Sequence, residues 1–312
     1  MEYKEFLVAL RKGLERKLSG DYHIETILVY KNNTGRKEGL ALIKGGVALT
    51  PVIYPEELYQ RHKEGVGLEE MAGIVAGCCI QQSEDMGVLK TIHKNVLEWK
   101  PAKGYLMPTL VNRKWNQELL EEAASVPFLD LAVCFCLQKT CQGQENGMLN
   151  LRVSKRLMDL WGVTEEDLME QAQKNLKRVD YAISGIKQLM EELITEKGDS
   201  IKDGIDVTNP NGFAVLTTPE RMMGAVGILR KELLLEYANR LGKNLFLIPS
   251  SIHEILLLAD NGEVKLEELS SIIKEVNQGQ VRREEQLSDH PYYYDRMKHE
   301  IRVAEEENCQ NL

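Results

Sequence analysis

Several features that identify large classes of protein are missing from this 312-residue sequence. Six cysteines are too few for a disulfide-stabilised scaffold in a chain of this length, and four of them, Cys78, Cys79, Cys134 and Cys136, lie within apolar runs. No run of about 18 apolar residues is present. The first residues lack the basic and apolar regions of a secretory signal. These absences predict a cytoplasmic protein with reduced, buried thiols and no membrane partner.

The sequence has fewer basic residues than acidic residues. The sequence has 39 Lys and Arg residues against 48 Asp and Glu residues, which gives a formal net charge of −9. Such a surface repels the phosphate backbone of nucleic acids, and no stripe of Lys and Arg interleaved with aromatic residues offsets this repulsion. The composition therefore predicts no nucleic-acid partner.

Motifs that bind cofactors or metals are also missing. Gly224 to Gly227 has the spacing of neither a P-loop nor a dinucleotide-binding loop, so we predict close helix packing there. His253-Glu254 lacks the second histidine of a zinc-binding H-E-x-x-H motif, because Leu257 occupies its position. The cysteines form no paired C-x-x-C pattern. The absence of these motifs predicts no cofactor.

Apolar patterns of both helical and strand period are present, and they predict an α+β fold with mixed or antiparallel sheets and flanking helices. Residues 1–100 predict an N-terminal α+β unit with a helix, a three-stranded meander and further helices. Lys100-Pro-Ala-Lys-Gly104 is typical of a linker. Residues 101–312 predict a second α+β unit.

Capping motifs and apolar patterns predict several helices in the second unit. Thr164-Glu-Glu-Asp167 has capping-box spacing and predicts a helix to about Lys177. Residues 180–197 predict another helix. Thr218 and Pro219 have the order of a cap and a first helical residue. Residues 224–241 predict a long helix that ends at Gly242.

Two polar segments in the second unit are candidate sites. The first is Pro249-Ser-Ser-Ile-His-Glu254, which lies between two apolar runs within Leu245 to Leu258. Because Pro249 interrupts a continuous helix, we predict a hairpin, with a helix from Ser251 as the alternative. The second is Leu287-Ser-Asp-His290, followed by Pro291 and three tyrosines (Tyr292 to Tyr294) that are expected to pack their rings.

These segments contain residue types that support hydrolysis. If the residues after Pro249 are extended, Ser251 and His253 point to one face of the strand, as a nucleophile and its base require. The other candidate residues are Ser250, Glu254, Asp289, Asp295 and His290. Asp289, Asp295 or Glu254 could orient the base, and His253, His290 and Asp289 are candidate metal ligands. In the alternative interpretation, the serines bind turn amides and His253 and Glu254 stabilise the turn.

The combination of segments resembles an uncharacterised bacterial family, domain-of-unknown-function family 5688. The segments that carry the resemblance are Leu49-Thr-Pro-Val-Ile-Tyr54, Phe128-Leu-Asp-Leu-Ala-Val133, Leu160-Trp-Gly-Val-Thr-Glu-Glu-Asp-Leu168, the Pro249 to Glu254 segment, and Leu287 to His290 with Tyr292 to Tyr294. The resemblance implies a cytoplasmic bacterial α+β protein. It brings no established activity and no catalytic residues.

Because no complete catalytic or cofactor motif is present, the leading prediction is a non-catalytic accessory protein that binds another protein. The alternative is a hydrolase-like enzyme in which Ser251 is the nucleophile and His253 or His290 is the base, with metal assistance as a further option.

Overall fold

A computed structural model describes residues 1–18, 20, 22–45, 52–84, 96–140, 148–185, 204–205 and 213–305. Within these residues the protein forms two compact units. Unit 1 comprises Met1–Lys31 and Gly35–Ala102, and unit 2 comprises Asn32–Thr34, Lys103–Thr140 and the residues from Met148 onward. No helix in the described ranges is both long and apolar enough to cross a membrane.

Unit 1 packs helices on one small antiparallel sheet with the strand order β1-β2-β3. Its elements are α1 (Tyr3–Lys17), β1 (Tyr22–Lys31), β2 (Gly35–Lys44), β3 (Val52–Ile53), α2 (Pro55–Lys63), α3 (Leu68–Glu84) and α4 (Trp99–Ala102).

Helix α1 forms because its apolar residues recur every three to four positions. Phe6, Leu10 and Leu14 are fully buried and pack with residues of β2 and α3 in a single core. A capping box between Glu2 and Glu5 satisfies backbone amides at the start of the helix. The apolar stripe thus fixes which face of α1 covers the sheet.

Unit 2 contains two larger sheets with helices beside them. Its elements are β4 (Leu106–Asn112), α5 (Gln117–Glu122), β5 (Ser125–Phe128), β6 (Leu131–Thr140), β7 (Met148–Arg152), α6 (Lys155–Trp161), α7 (Glu165–Leu176), β8 (Ala182–Gly185), β9 (Gly204–Ile205), β10 (Ala214–Thr217), α8 (Lys231–Leu241), β11 (Leu245–Ser251), β12 (Glu254–Ala259), α9 (Leu266–Gly279), β13 (Tyr292–Asp295) and β14 (Glu300–Val303).

The first sheet of unit 2 has the order β4-β6-β5, and β7 pairs with β6 on the side of β5. The second sheet has the order β14-β13-β11-β12-β10-β8-β9, in which only the β8–β9 pair is parallel among the described strands. Helix α9 packs on this sheet through Leu269 and Ile273, which share one core with Phe246 and Tyr293. The predicted α+β class with mixed and antiparallel sheets is confirmed.

Several local predictions are also confirmed. Strands β11 and β12 pair antiparallel, so the segment from Leu245 onward is a hairpin and not a helix after Ser251. The capping box of Thr164 and Asp167 starts α7, and Gly242 ends α8 in the left-handed conformation. The three tyrosines of β13 are buried.

Three helix predictions are wrong. Residues 182–185 form strand β8, because their wholly buried side chains and their pairing with β10 favour a central strand; residues 186–197 lie outside the described ranges. Thr218 starts a turn, since its hydroxyl accepts the N–H of Met222 at 3.2 Å and donates to the C=O of Met222 at 3.0 Å. Residues 224–229 form a short 3-10 helix before α8.

Candidate functional site

The Ser251–Glu254 turn joins β11 to β12, and its two central residues are Ile252 and His253. Ser251 and Glu254 are paired across the strands. The side chain of Ser251 is 8% exposed, and its Oγ accepts the backbone N–H of His253 at 3.0 Å. Ser251 therefore stabilises the turn in the way that short polar residues commonly do. The side chain of Ser250 lies outside the described part of the structure.

Both ring nitrogens of His253 lie close to other polar groups. Its Nδ1 accepts the backbone N–H of Met223 at 3.3 Å, and its Nε2 lies 3.6 Å from Oε1 of Glu285. Because Nδ1 is an acceptor, the neutral ring has its proton on Nε2. In this arrangement neither nitrogen is directed at the hydroxyl of Ser251. The imidazole links two loops to the hairpin turn.

The loop that contacts His253 has an unusual backbone. Arg221 and Met223 both have positive φ angles, 54° and 53°, although neither is glycine. Such conformations are costly and persist where surrounding contacts hold them. Here the backbone carbonyl of His253 accepts the hydroxyl of Thr217 at 2.8 Å and the N–H of Gly224 at 3.0 Å. The hairpin turn thus holds both ends of the strained loop.

Glu285 connects its own segment, which precedes β13, to the Ser251–Glu254 turn. Its backbone carbonyl accepts the N–H of Ile252 at 2.8 Å, and its carboxylate pairs with Arg282 as well as facing His253. Burial raises the pKa of Glu285, but the hydrogen bond and charge of Arg282, together with His253, lower it, and the net pKa lies below the ordinary value of 4.5. The folded state therefore favours the charged form.

This shift predicts an acid-sensitive contribution to stability. A depressed folded-state pKa stabilises the protein above the unfolded-state value and loses that effect as the pH falls through the folded-state value. We expect Glu285→Gln to lower the free energy of unfolding by about 1 kcal/mol at pH 7. The deficit relative to the unmodified protein should shrink as the pH falls below 4.5. Urea titrations at pH 7, 4.5 and 3 measure it.

Glu263→Gln is the matched control, because Glu263 is exposed in the loop before α9. It should leave the unfolding free energy within about 0.5 kcal/mol at every pH. A Glu285→Gln deficit that is the same at pH 7 and pH 3 would contradict the electrostatic explanation.

The second polar segment is organised by Asp130, which follows β5. One carboxylate oxygen of Asp130 accepts the hydroxyl of Ser288 and the other accepts the phenol of Tyr292, both at 2.6 Å. Burial, followed by the charge of Asp130, raises the pKa of Tyr292 well above its ordinary value, so the phenol remains a donor. The Oγ of Ser288 also accepts the N–H of His290 at 3.0 Å. We refer to Asp130, Ser288 and Tyr292 as the Asp130 cluster.

Buried amide side chains hold the residues that lead into this cluster. Asn33, with a φ of 59°, donates from Nδ2 to the C=O groups of Arg283 and Gln286 at 2.8 and 2.7 Å. Asn116 accepts the N–H of Asn33 at 2.7 Å and donates to its Oδ1 at the same distance. Asn112 donates to the C=O of Leu287 at 2.9 Å. These bonds pair groups that burial would otherwise leave unsatisfied.

The remaining candidate residues have separate environments. Asp289 accepts the Nδ2 of Asn277 at 2.9 Å, and the side chain of His290 is exposed. Asp295 accepts the N–H groups of Met297 and Lys298, both at 2.9 Å, in the turn between β13 and β14. Glu254 is half-buried at the start of β12. The structure therefore links His253 to Glu285, and Ser288 to Asp130, as two separate sets of contacts.

Metal and thiol chemistry have little support in the described ranges. Within them, no three His, Cys, Asp or Glu side chains converge as a metal site would require. Cys78, Cys79, Cys134 and Cys136 are all free thiols. Burial raises the pKa of Cys134 to about 12, against the smaller lowering effect of Arg152. A thiol of this kind is a poor nucleophile and a poor metal ligand at neutral pH.

A different surface feature lies in unit 1, at the edge strand β1. It spans ten residues, and among the described residues β2 is the only strand paired with it. Its register with β2 runs without a bulge from Tyr22 to Lys31. The centre of the strand, Thr26-Ile-Leu-Val-Tyr30, is uncharged, and the side chain of Leu28 is 65% exposed.

A comparison with protein families identifies the family of this protein. The sequence model of a family of unknown function, DUF5688, matches residues 3–296. The protein belongs to this family. The resemblance inferred from the sequence segments is thereby confirmed. No curated protein and no solved structure matches the sequence.

The DUF5688 match includes both polar sets of contacts and the edge strand β1. Among the residues that organise these sets, sequence reasoning did not single out Asp130, Glu285 or the buried asparagines. Asp130 has a recognisable signal, since it is one acid within the apolar run Phe128 to Val133. The asparagines have no comparable signal, because asparagine is also common in exposed turns.

Proposed function

We propose that this DUF5688 protein is a non-catalytic accessory protein of the bacterial cytoplasm, which binds an extended segment of another protein by strand addition to β1. The observation that carries the proposal is the long, unbulged edge strand with an uncharged centre. Proteins commonly blunt such edges with charges, proline, bulges or a covering element. Within the described ranges, the centre of β1 has none of these protections, and such an edge is suited to pair with another strand.

The backbone groups of β1 favour this role. Nη2 of Arg11 on α1 donates to the C=O of Ile24 at 2.7 Å, which indicates that this carbonyl points away from β2. Backbone direction alternates along a strand, so Thr26 and Leu28 also direct their N–H and C=O groups outward. Within the described ranges, no backbone hydrogen bond outside the β1–β2 ladder is formed by Thr26 or Leu28. Within the described part of the chain these groups have no backbone partner, as the addition of a strand requires.

The candidate catalytic groups support a non-catalytic role. Ser251 binds a turn amide, both nitrogens of His253 face other partners, and Ser288 donates to Asp130. A nucleophile requires a base within hydrogen-bond reach. The contacts of these side chains instead match those of groups that stabilise turns and loops. The free thiols are in keeping with a reducing compartment such as the cytoplasm.

Selection of peptides from a random library displayed on phage, against the immobilised full-length protein, tests the proposal. We expect enrichment of peptides with alternating β-branched or aromatic residues, because these residues favour strands. Leu28→Lys should weaken the binding of the selected peptides by roughly tenfold or more, since a charge replaces the apolar centre of the edge. Fluorescence anisotropy with a labelled peptide measures the dissociation constant.

Ile74→Lys is the matched control, because Ile74 on α3 is 58% exposed and places the same new charge elsewhere on unit 1. It should leave the dissociation constant unchanged within about twofold. Failure to enrich any peptide, or equal weakening by both lysine variants, would overturn strand addition at β1.

A further inference from the structure

We propose that the protein segment bound at β1 is basic, with a lysine or arginine opposite Leu28 whose cationic group pairs with Glu38 on β2. The inference rests on the proposed strand addition at β1 and identifies the chemistry of the partner. Leu28 supplies exposed apolar surface at the edge, and Glu38 supplies a carboxylate beside it. A side chain with an apolar stem and a positively charged end is complementary to both.

The part of β1 that is open to a partner is short. At one end, the C=O of Ile24 is bonded to Arg11. At the other end, Nζ of Lys31 lies 2.8 Å from a carboxylate oxygen on α2. Between these ends, Thr26 and Leu28 direct their backbone groups outward. Because so few backbone hydrogen bonds can form here, side-chain contacts must supply much of the specificity for the added segment.

Glu38 lies beside Leu28 on the same face of the sheet. The register of β1 with β2 places the two residues directly opposite each other. The outward C=O of Ile24 shows that Leu28, four residues later, is not hydrogen-bonded to its opposite residue, and side chains stand closest in pairs of this kind. A strand added to β1 lies about 10 Å from β2. An extended lysine or arginine and the side chain of Glu38 span this distance together, with the apolar stem over Leu28.

The neighbouring cations do not neutralise Glu38. Nζ of Lys31 pairs with Glu57 at 2.8 Å, and Nζ of Lys37 pairs with Glu56 at 2.7 Å. Glu38 is half-buried and forms no ion pair with any residue that the structure describes. A cation from a bound segment would therefore meet a carboxylate that is not already paired.

The surface around Glu38 has a negative potential. Burial, followed by the charges of Glu38 and Glu56, raises the pKa of Tyr3 above its ordinary value of 10.0. Tyr3 begins α1, which covers the same face of the sheet. The whole protein has a formal net charge of −9, which attracts basic segments and repels acidic ones. Local and overall charge thus both favour a basic partner.

Three labelled peptides test the inference. Each has alternating threonine and valine residues, with lysine, glutamine or glutamate at the centre. We expect the full-length protein to bind the lysine peptide roughly threefold more tightly than the glutamine peptide, as an exposed ion pair allows, and the glutamate peptide least tightly. Added sodium chloride should narrow these differences, because it screens exposed charges. Fluorescence anisotropy measures the dissociation constants.

Variants of Glu38 locate the preference. Glu38→Gln should bring the lysine and glutamine peptides to equal affinity, and Glu38→Lys should make the glutamate peptide the tightest of the three. Glu70→Gln is the matched control, because Glu70 is exposed on α3 and the variant loses the same charge elsewhere on unit 1. It should retain the preference for lysine. Circular dichroism verifies that the variants are folded.

The outcomes separate this inference from the proposed function. Equal binding of the three peptides by the unmodified protein overturns the inference, as does a lysine preference that Glu38→Gln leaves unchanged. If Leu28→Lys still weakens peptides that bind equally, strand addition at β1 stands and only the basic partner is rejected. If no peptide binds, or if Leu28→Lys affects none of them, the proposed function fails as well.

Discussion

Replacement of Gly224 by alanine is expected to lower the free energy of unfolding of unit 2 by about 3 kcal/mol. A Cβ at this position would lie 2.5 Å from the C=O oxygen of His253 and 2.5 Å from Oγ1 of Thr217, with Cα of Thr217 at 2.7 Å. Two of these three atoms belong to the backbone, so rotation of a side chain does not relieve the overlap. The strained loop must then move away from the hairpin turn.

That movement also breaks hydrogen bonds. The N–H of Gly224 donates to the C=O of His253, which also accepts the hydroxyl of Thr217. The turn would lose the contacts that hold Met223 at a positive φ, and the imidazole of His253 would lose the Met223 N–H. Urea unfolding followed by circular dichroism measures the loss.

Gly77→Ala is the matched control. Gly77 lies within α3, and a Cβ there meets no atom within 4 Å. Alanine should raise the unfolding free energy by up to about 1 kcal/mol, because glycine is the weaker helix former. A Gly224→Ala variant as stable as the unmodified protein would contradict the close packing of the loop against the hairpin turn.

Asp130→Ala is expected to cost about 3 kcal/mol of unfolding free energy, since it leaves two buried hydroxyl donors without their acceptor. The side chains of Ser288 and Tyr292 are both fully buried, and each donates to one carboxylate oxygen at 2.6 Å. Asp130→Asn should cost less than Asp130→Ala, because an amide retains one acceptor oxygen. Urea unfolding at pH 7 ranks the two variants.

A double-mutant cycle with Tyr292→Phe tests whether these groups act together. We expect Tyr292→Phe to cost less in the Asp130→Ala background than alone, with a coupling of about 1 to 3 kcal/mol. Asp159→Ala is the control, since Asp159 is exposed on α6, and it should change stability by less than about 0.5 kcal/mol. Additive costs for Asp130→Ala and Tyr292→Phe would contradict a shared cluster.

Sequence patterns predicted those features of the fold that local forces decide. The apolar stripe of α1, the capping box at Thr164 and the interruption at Pro249 act within a few residues, and each predicted its element correctly. The sequence pattern of residues 182–185 predicts a helix, because it does not show that β10 pairs with them. A threonine followed by proline is typical of a helix start, so the sequence predicts a helix at Thr218. The structure has a turn there instead.

The candidate site illustrates the same limit. Serine, histidine and glutamate in one short segment suggested chemistry, but their partners lie elsewhere in the sequence. Glu285 is 32 residues from His253, and Asp130 is 158 residues from Ser288. Such distant contacts decide whether a polar side chain stabilises a loop or reacts, and one sequence does not specify them. The edge position of β1 likewise depends on which strands pair in the folded unit.

The hydrogen bonds of Asn33 have a consequence for the order of folding during synthesis. Asn33 belongs to unit 2, and its partners Arg283 and Gln286 lie 250 and 253 residues later in the sequence. At the usual rate of translation, the ribosome needs ~12 to 50 s to make that length. The amide of Asn33 must therefore stay hydrated until Gln286 has been made. The part of unit 2 that these hydrogen bonds hold together can close only after that point.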